Sequence, residues 1–137
     1  MKKVLFATVI TLSVSFFTLE SFASSVDDYM NYLQKLSNCT PSEYSLGGTY
    51  MKIYGLTNGI CHFTKNSAVG ETVTNMKTKE TISVKNCDFR LPLSTTKSYA
   101  DISTKITKSF YGKSEVTQTE LEKDMSFIFN LQKRYCK

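Results

Sequence analysis

The chain of 137 residues contains no tryptophan, a single histidine and four widely spaced cysteines, and these scarcities exclude several kinds of chemistry. No two cysteines form the C-x-x-C pair of thioredoxin-like redox proteins. A zinc site normally needs close pairs of ligands, and only His62 could supplement the dispersed cysteines. The G-x-S-x-G motif of a serine nucleophile is also missing. The sequence therefore predicts no catalytic residue, no metal site and no cofactor.

Long basic runs are missing as well, although 17 Lys and Arg outnumber 12 Asp and Glu. Residues 24–137 keep 15 basic and 11 acidic side chains, a formal charge of +4, and their only basic doublet is Lys133-Arg134. Lysines interspersed with tyrosines can bind anionic polymers, but this charge is modest. We expect the partner to be an unknown protein or an anionic component of the cell envelope, and we expect no nucleic acid.

The one long hydrophobic run lies at the N-terminus. Two lysines precede an uncharged segment from Val4 to Leu19, and Ser21-Phe22-Ala23 places small residues where signal peptidase requires them. The segment is shorter than the roughly 20 apolar residues that span a bilayer, and it contains several Ser and Thr. The pattern predicts that residues 1–23 are a removed signal peptide. Residues 24–137 would then form one periplasmic or secreted domain without a membrane span.

The expected export of the protein bears on the state of its cysteines. In an oxidising compartment, an even number of cysteines in a short chain favours disulfides, and four allow three pairings. Cys61 and Cys87 both lie in strand-like segments two residues before a phenylalanine, so we predict that they are bonded to each other. Cys39 and Cys136, at the ends of the first and last predicted helices, would form the second bond. The alternative, Cys39 bonded to Cys61 or Cys87, would anchor the first helix to the sheet.

Periodicity predicts helices at both ends of the mature chain. Residues 24–38 carry an apolar stripe at helical spacing, with Ser24 or Ser25 as the cap and Pro41 beyond the end. Residues 94–111 fit a helix better than a strand. Thr117 and Glu120 form a capping box that opens a last helix, which continues to about Tyr135.

Strand signals fill the middle of the chain. Asn58-Gly59 between two β-prone runs predicts a hairpin of 50–53 and 60–63. Residues 71–76 could be a third strand, and residues 81–91 are a clearer strand region with a change of phase at Lys85-Asn86 that indicates a bulge or a break. We therefore predict an α+β fold. It comprises an N-terminal helix, an antiparallel sheet of three to four strands, one or two C-terminal helices packed on that sheet, and two disulfides.

Two motifs add a resemblance. The stretch from Leu36 to Pro41 ends in Cys-Thr-Pro, and Gly55-Leu-Thr-Asn-Gly59-Ile-Cys61 forms a Gly-x-x-x-Gly-x-Cys hairpin. Together they resemble a group of small exported bacterial proteins of unknown function, in which a third cysteine falls where Cys87-Asp-Phe89 stands here. The resemblance implies an α+β fold and an envelope location. It carries over no catalytic residue.

One polar cluster is the candidate site. If Cys61 and Cys87 occupy neighbouring strands, then His62, Asp88 and Arg90 share the outer face of the sheet. A His-Asp pair can orient a general base, but a sheet face in water also needs polar residues, so we expect a solvated surface cluster. We predict a non-catalytic binding or interaction module. The alternatives are a small secreted hydrolase, which requires His62 to lie in a cleft, and a secreted enzyme inhibitor that uses the loop 66–70.

Overall fold

The computed structural model describes residues 19–112 and 115–137, with side chains from residue 26 onward. This part of the chain is α+β, as predicted, and contains two disulfides. The helices are α1 (Leu19–Ser37), α2 (Leu93–Phe110) and α3 (Gln118–Tyr135). The strands are β1 (Ser42–Leu46), β2 (Thr49–Thr57), β3 (Ile60–Ser67), β4 (Thr72–Thr74), β5 (Thr81–Ser83) and β6 (Asn86–Pro92).

Helix α1 buries the predicted stripe, with Tyr32, Leu33 and Leu36 almost inaccessible to solvent. The helix begins at Leu19, so the prediction that Ser24 or Ser25 caps it is wrong for the whole chain, in which good helix formers precede these serines. Of the predicted signal peptide, residues 1–18 lie outside the described residues. No helix in the described ranges is long and apolar enough to cross a membrane.

The main sheet is antiparallel in the order β1-β2-β3-β6. The predicted β2–β3 hairpin is confirmed, and Asn58 and Gly59 both have the positive φ angles that its tight turn requires. Strand β1 was not predicted. Its sequence alternates polar residues with half-buried Tyr44 and Leu46, which is typical of a short edge strand.

The region after β3 departs from the predicted single sheet. The third predicted strand is β4, which pairs with β5 in a separate hairpin and not with the main sheet. The change of phase at Lys85-Asn86 is a true break, because β5 ends at Ser83 and β6 begins at Asn86. Strand β6 then alternates strictly, and buries Cys87, Phe89 and Leu91 on the face that packs against the helices, here called the inner face.

Both C-terminal helices are confirmed. The Thr117 side chain caps α3 by accepting a hydrogen bond of 3.2 Å from the backbone N–H of Glu120. Lys105 of α2 joins the two helices, since its Nζ lies 2.8 Å from Glu120 Oε1 and 2.6 Å from Asp124 Oδ2. The core lies between these helices, α1 and the inner face of the sheet.

The disulfide pairing is the main correction to the sequence-based predictions. The bonds join Cys39 to Cys61 and Cys87 to Cys136, so the predicted pairs Cys61–Cys87 and Cys39–Cys136 are wrong. Strands β3 and β6 are neighbours, but Cys61 lies opposite Leu91 and Cys87 lies opposite Lys65. Four residues of register separate the two cysteines, or about 13 Å along the strands, which no disulfide bridges.

The observed bonds attach one helix end each to the sheet. Cys39 follows the end of α1 in a left-handed conformation (φ 53°) and reaches β3, which is the anchoring alternative considered from the sequence. Cys136 follows the end of α3 and lies beside Cys87, where Asn86 and Lys137 exchange two backbone hydrogen bonds of 3.1 and 2.7 Å. The chain terminus is therefore held against the free edge of β6.

Candidate functional site

The structure brings His62, Asp88 and Arg90 together on the outer face of the sheet. His62 pairs with Arg90 across β3 and β6, and its Nε2 lies 2.7 Å from Asp88 Oδ1. Arg90 Nη2 lies 3.9 Å from the other oxygen of Asp88. The three side chains share a face because β3 and β6 are neighbours, although the disulfide used to predict it does not exist.

Two residues that were not predicted complete this outer-face cluster. The ring of Tyr54 stacks on His62 with a centroid separation of 4.3 Å, and Lys52 Nζ lies 4.7 Å from the Tyr54 centroid. A register shift between Ile53 and Gly55 places Tyr54 there. Gly55 (φ 128°) was the available signal, because an isolated glycine inside a strand indicates a bulge.

The outer-face cluster has the geometry of a solvated surface. Neither of the two cavities described below includes His62, and among the described residues no hydroxyl or thiol is hydrogen-bonded to its ring. Asp88 and Arg90 are mostly exposed, and Lys52 and Glu43 add a further pair of opposite charges on the same face. A general base held by Asp88 would therefore act on an open face of the sheet, outside both cavities.

We expect His62→Ala to change nothing in a broad hydrolase screen, in which the unmodified protein should also stay at background. The free energy of unfolding should fall by less than about 1 kcal/mol, because exposed ion pairs contribute little. Denaturant unfolding of both proteins measures this loss. Turnover by the unmodified protein that disappears in the variant would support the hydrolase alternative instead.

A cavity of about 230 Å³ lies between the inner face of the sheet and the three helices. We name it the tyrosine cavity, because Tyr29, Tyr32, Tyr44, Tyr99 and Tyr111 line it. Its remaining walls are mostly apolar and include Leu33, Met51, Phe63, Val73, Val84, Phe89, Ile106, Met125 and Ile128. A dry apolar cavity of about 150 Å³ already accepts a guest the size of benzene.

Several of the tyrosine rings of this cavity lie close to one another. The ring of Tyr44 lies 5.8 Å from that of Tyr29 and 5.9 Å from that of Tyr32. A phenol combines an apolar ring with a hydroxyl that can donate or accept a hydrogen bond, so these tyrosines suit a guest that is mostly apolar and carries a polar group.

Burial keeps these phenols protonated. It raises the pKa of Tyr29 to about 12, with Tyr44 as a second cause, and the pKa of Tyr44 to about 12, with Asp28 and Tyr111 as further causes. Burial likewise raises the pKa of Tyr32 and of Tyr99 well above 10, and neighbouring tyrosines contribute. At neutral pH the cavity therefore presents uncharged O–H groups.

Of the described residues that line the tyrosine cavity, two are charged. Lys65 Nζ lies 3.4 Å from Glu71 Oε2, and both side chains are largely buried, with exposures of 25% and 16%. Their charges compensate each other. The cavity thus favours an uncharged, mostly apolar guest that carries hydrogen-bonding groups.

Sequence reasoning did not find the tyrosine cavity. Its lining comes from all three helices and from strands distant in the chain, so no local motif marks it. Tyr29 and Tyr99 lie within the two helices predicted over residues 24–38 and 94–111, where a tyrosine is indistinguishable in the sequence from an ordinary core residue. The one available signal was composition, because all eight tyrosines follow residue 23.

Comparisons with models of known families, with curated proteins and with solved structures found nothing that matches this chain. The resemblance to small exported bacterial proteins therefore stays a prediction. Within the described ranges, no group of three His, Cys, Asp or Glu side chains could hold a metal ion.

The raised tyrosine pKa values predict a loss of stability in alkali. Tyr29 and Tyr44 have a pKa near 12 in the fold and near 10 when unfolded, so the unfolded chain releases its protons first. The contribution of the two tyrosines to stability is full below pH 10 and is lost between pH 10 and 12, by at most about 2.7 kcal/mol for Tyr29 and by less for the more exposed Tyr44, whose charge solvent screens. Denaturant unfolding from pH 8 to 11.5, with phenolate absorbance recorded alongside, measures this loss of stability.

A matched variant separates the tyrosines from other groups that titrate in this range. Hydrogen bonds to Asp124 and then Glu120 raise the pKa of Lys105. Because the unfolded chain loses this proton first, stability also falls as the pH rises above about 10.5. Tyr29→Phe removes one phenol and keeps Lys105, so its loss of stability with pH should be shallower. An unchanged slope would contradict a role for Tyr29.

Proposed function

We propose that residues 24–137 form a non-catalytic binding protein of the periplasm or the extracellular medium, which holds a small molecule in the tyrosine cavity. The observation that carries this proposal is a mostly apolar cavity of about 230 Å³ that five tyrosines line. A pocket of this kind, mostly apolar with a few polar groups, is the usual form of a ligand site.

The chemistry of the walls defines the bound group. Apolar side chains and the rings of Phe63 and Phe89 favour an apolar body, and the protonated phenols favour a guest with acceptor oxygens. The compensated Lys65–Glu71 pair gives no net attraction to an ion. The part of the ligand inside the cavity is therefore uncharged.

The disulfides support the proposed location outside the cytoplasm. Two disulfides are typical of proteins in oxidising compartments, which supports export. The expected protein or anionic envelope partner stays a prediction. On the outer face, Lys52 and Arg90 are matched by Glu43 and Asp88, and this balance gives no support for an anionic polymer there.

The test uses N-phenyl-1-naphthylamine, an uncharged probe whose fluorescence rises in apolar surroundings. We expect saturable binding of one probe to each purified, oxidised protein. Ser103→Leu should weaken this binding at least tenfold, because Ser103 lines the tyrosine cavity and the larger side chain fills it.

Ser98→Leu is the matched control, since Ser98 lies on the same helix and is exposed. Binding by this variant should equal that of the unmodified protein. If neither the probe nor a panel of other uncharged aromatic compounds binds, or if both serine variants lose binding equally, the tyrosine cavity is not the site.

A further inference from the structure

A second opening lies beside the tyrosine cavity. The turn 75–79 between β4 and β5 faces one side of α3 across a groove of about 420 Å³, which we call the hairpin groove. Its floor is apolar, with Val73, Ile128 and Phe129, and its rim carries polar groups from the turn and from the first two turns of α3.

The hairpin groove and the tyrosine cavity share part of their walls. Val73, Met125, Ile128 and Gln132 line both, so no more than one layer of side chains separates them. Met125 and Gln132 are half-buried and unbranched, and such side chains change rotamer easily. The cavity alone is smaller than the roughly 300 to 1,000 Å³ of common ligand sites, whereas the two spaces together fall within that range.

The two spaces differ in charge. Lys77 and Lys79 line the hairpin groove, and neither forms an ion pair with a carboxylate in the described residues. The adjacent Glu80 is held by Lys133, whose Nζ lies 2.7 Å from its Oε2. The one carboxylate of the groove, Glu122, accepts a hydrogen bond of 2.9 Å from Gln118 Nε2. The groove therefore has an excess of positive charge, and the cavity has none.

The lysines stand on an ordered turn. Asn75 Oδ1 accepts hydrogen bonds from the backbone N–H groups of Lys77 (3.0 Å) and Thr78 (3.2 Å). Lys79 adopts a left-handed conformation (φ 63°), and its N–H donates to Asn75 O at 2.7 Å. A carboxylate at the groove would meet two cations whose backbone is already fixed, which lowers the entropic cost of binding it.

From this juxtaposition we propose that the ligand is a free long-chain carboxylic acid, an inference that rests on the proposed function. Its apolar chain occupies the tyrosine cavity, and its carboxylate lies in the hairpin groove next to Lys77 and Lys79. Charge complementarity determines this orientation, because the cavity is neutral and the groove is cationic.

The test compares cis-parinaric acid, a fluorescent long-chain acid, with its uncharged methyl ester. The acid should bind the purified, oxidised protein at least fivefold more tightly than the ester. In the double variant Lys77→Gln, Lys79→Gln, the acid should bind only as tightly as the ester, and ester binding should not change. The control Lys35→Gln, Lys108→Gln removes the same charge from exposed lysines outside both spaces and should bind the acid normally.

The outcomes separate the two proposals. If acid and ester bind equally and the Lys77, Lys79 variant binds both normally, the carboxylate assignment is overturned and the tyrosine cavity remains a binding site. If neither of them nor N-phenyl-1-naphthylamine binds, both proposals fail. A membrane role would be indicated if the double variant lost sedimentation with phosphatidylglycerol vesicles but kept its preference for the dispersed acid, and this result would overturn the inference.

Discussion

Reduction of both disulfides is expected to unfold the domain at room temperature. Cys39–Cys61 closes a loop with a sequence separation of 22, and Cys87–Cys136 one with a separation of 49. In the chain-entropy model these bonds contribute about 3.4 and about 4.1 kcal/mol. Since a small domain has a total stability of roughly 5 to 15 kcal/mol, losing both removes half of it or more.

Variants that lack one disulfide should lose stability in the order of these contributions, with the larger loss for Cys87–Cys136. Cys87→Ala with Cys136→Ala should cost about 4 kcal/mol, and Cys39→Ala with Cys61→Ala about 3.4 kcal/mol. Urea unfolding of each variant beside the oxidised protein measures these losses. Four free thiols in the native protein, or a Cys61–Cys87 peptide in a non-reducing digest, would contradict the structure.

The two bonds should differ in their effect on binding. Cys136 anchors the end of α3, which forms a wall of both the tyrosine cavity and the hairpin groove. Loss of Cys87–Cys136 should therefore weaken binding of N-phenyl-1-naphthylamine in the fraction that stays folded. Loss of Cys39–Cys61, which attaches α1 to β3, should affect stability more than affinity.

Local signals predicted most of the secondary structure. Asn58-Gly59 requires a tight turn, and Thr117 with Glu120 requires a helix start, whatever the rest of the chain does. The alternation of apolar and polar residues from Cys87 to Leu91 is likewise a local pattern, and it matches the observed burial of β6. Such features depend on a few neighbouring residues, so they can be predicted from a single sequence.

Features that depend on register were not predictable in the same way. That Cys61 and Cys87 both face the core followed from alternation, but their distance along the sheet depends on how far β6 slides relative to β3. Neither strand carries a signal for that offset, and a shift of four residues keeps every side chain on its face. The disulfide prediction failed for this reason. The prediction that His62, Asp88 and Arg90 share the outer face did not fail, because it depends on which strands are neighbours and not on their exact offset.

The tyrosine cavity could not be predicted from the sequence for a different reason. A cavity is the space that packed elements fail to fill, and it depends on the sizes and angles of side chains from every layer. The residues that line it satisfy the same periodicity as core residues. Tyr32, which is 4% exposed, is indistinguishable in the sequence from a tyrosine in a filled core.

Phe89→Ala is expected to cause a large loss in the free energy of unfolding. Phe89 is 1% exposed, and its ring lies 4.7 Å from Phe63, 5.3 Å from Tyr99 and 5.7 Å from Tyr135, measured between centroids. It therefore connects the sheet to both α2 and α3. Truncating a buried phenylalanine costs about 3 to 5 kcal/mol, because apolar burial is lost and a void remains.

The neighbouring residue supplies the control for this substitution. Arg90 lies one position further along β6 on the outer face, with a side chain that is 61% exposed, so Arg90→Ala should cost less than about 1 kcal/mol. Phe89→Leu should fall between the two, since leucine refills part of the volume. Urea unfolding of the three variants gives the order directly. Equal losses for Phe89→Ala and Arg90→Ala would mean that β6 does not present alternate faces to core and solvent, and the inner wall of the tyrosine cavity would then be misassigned.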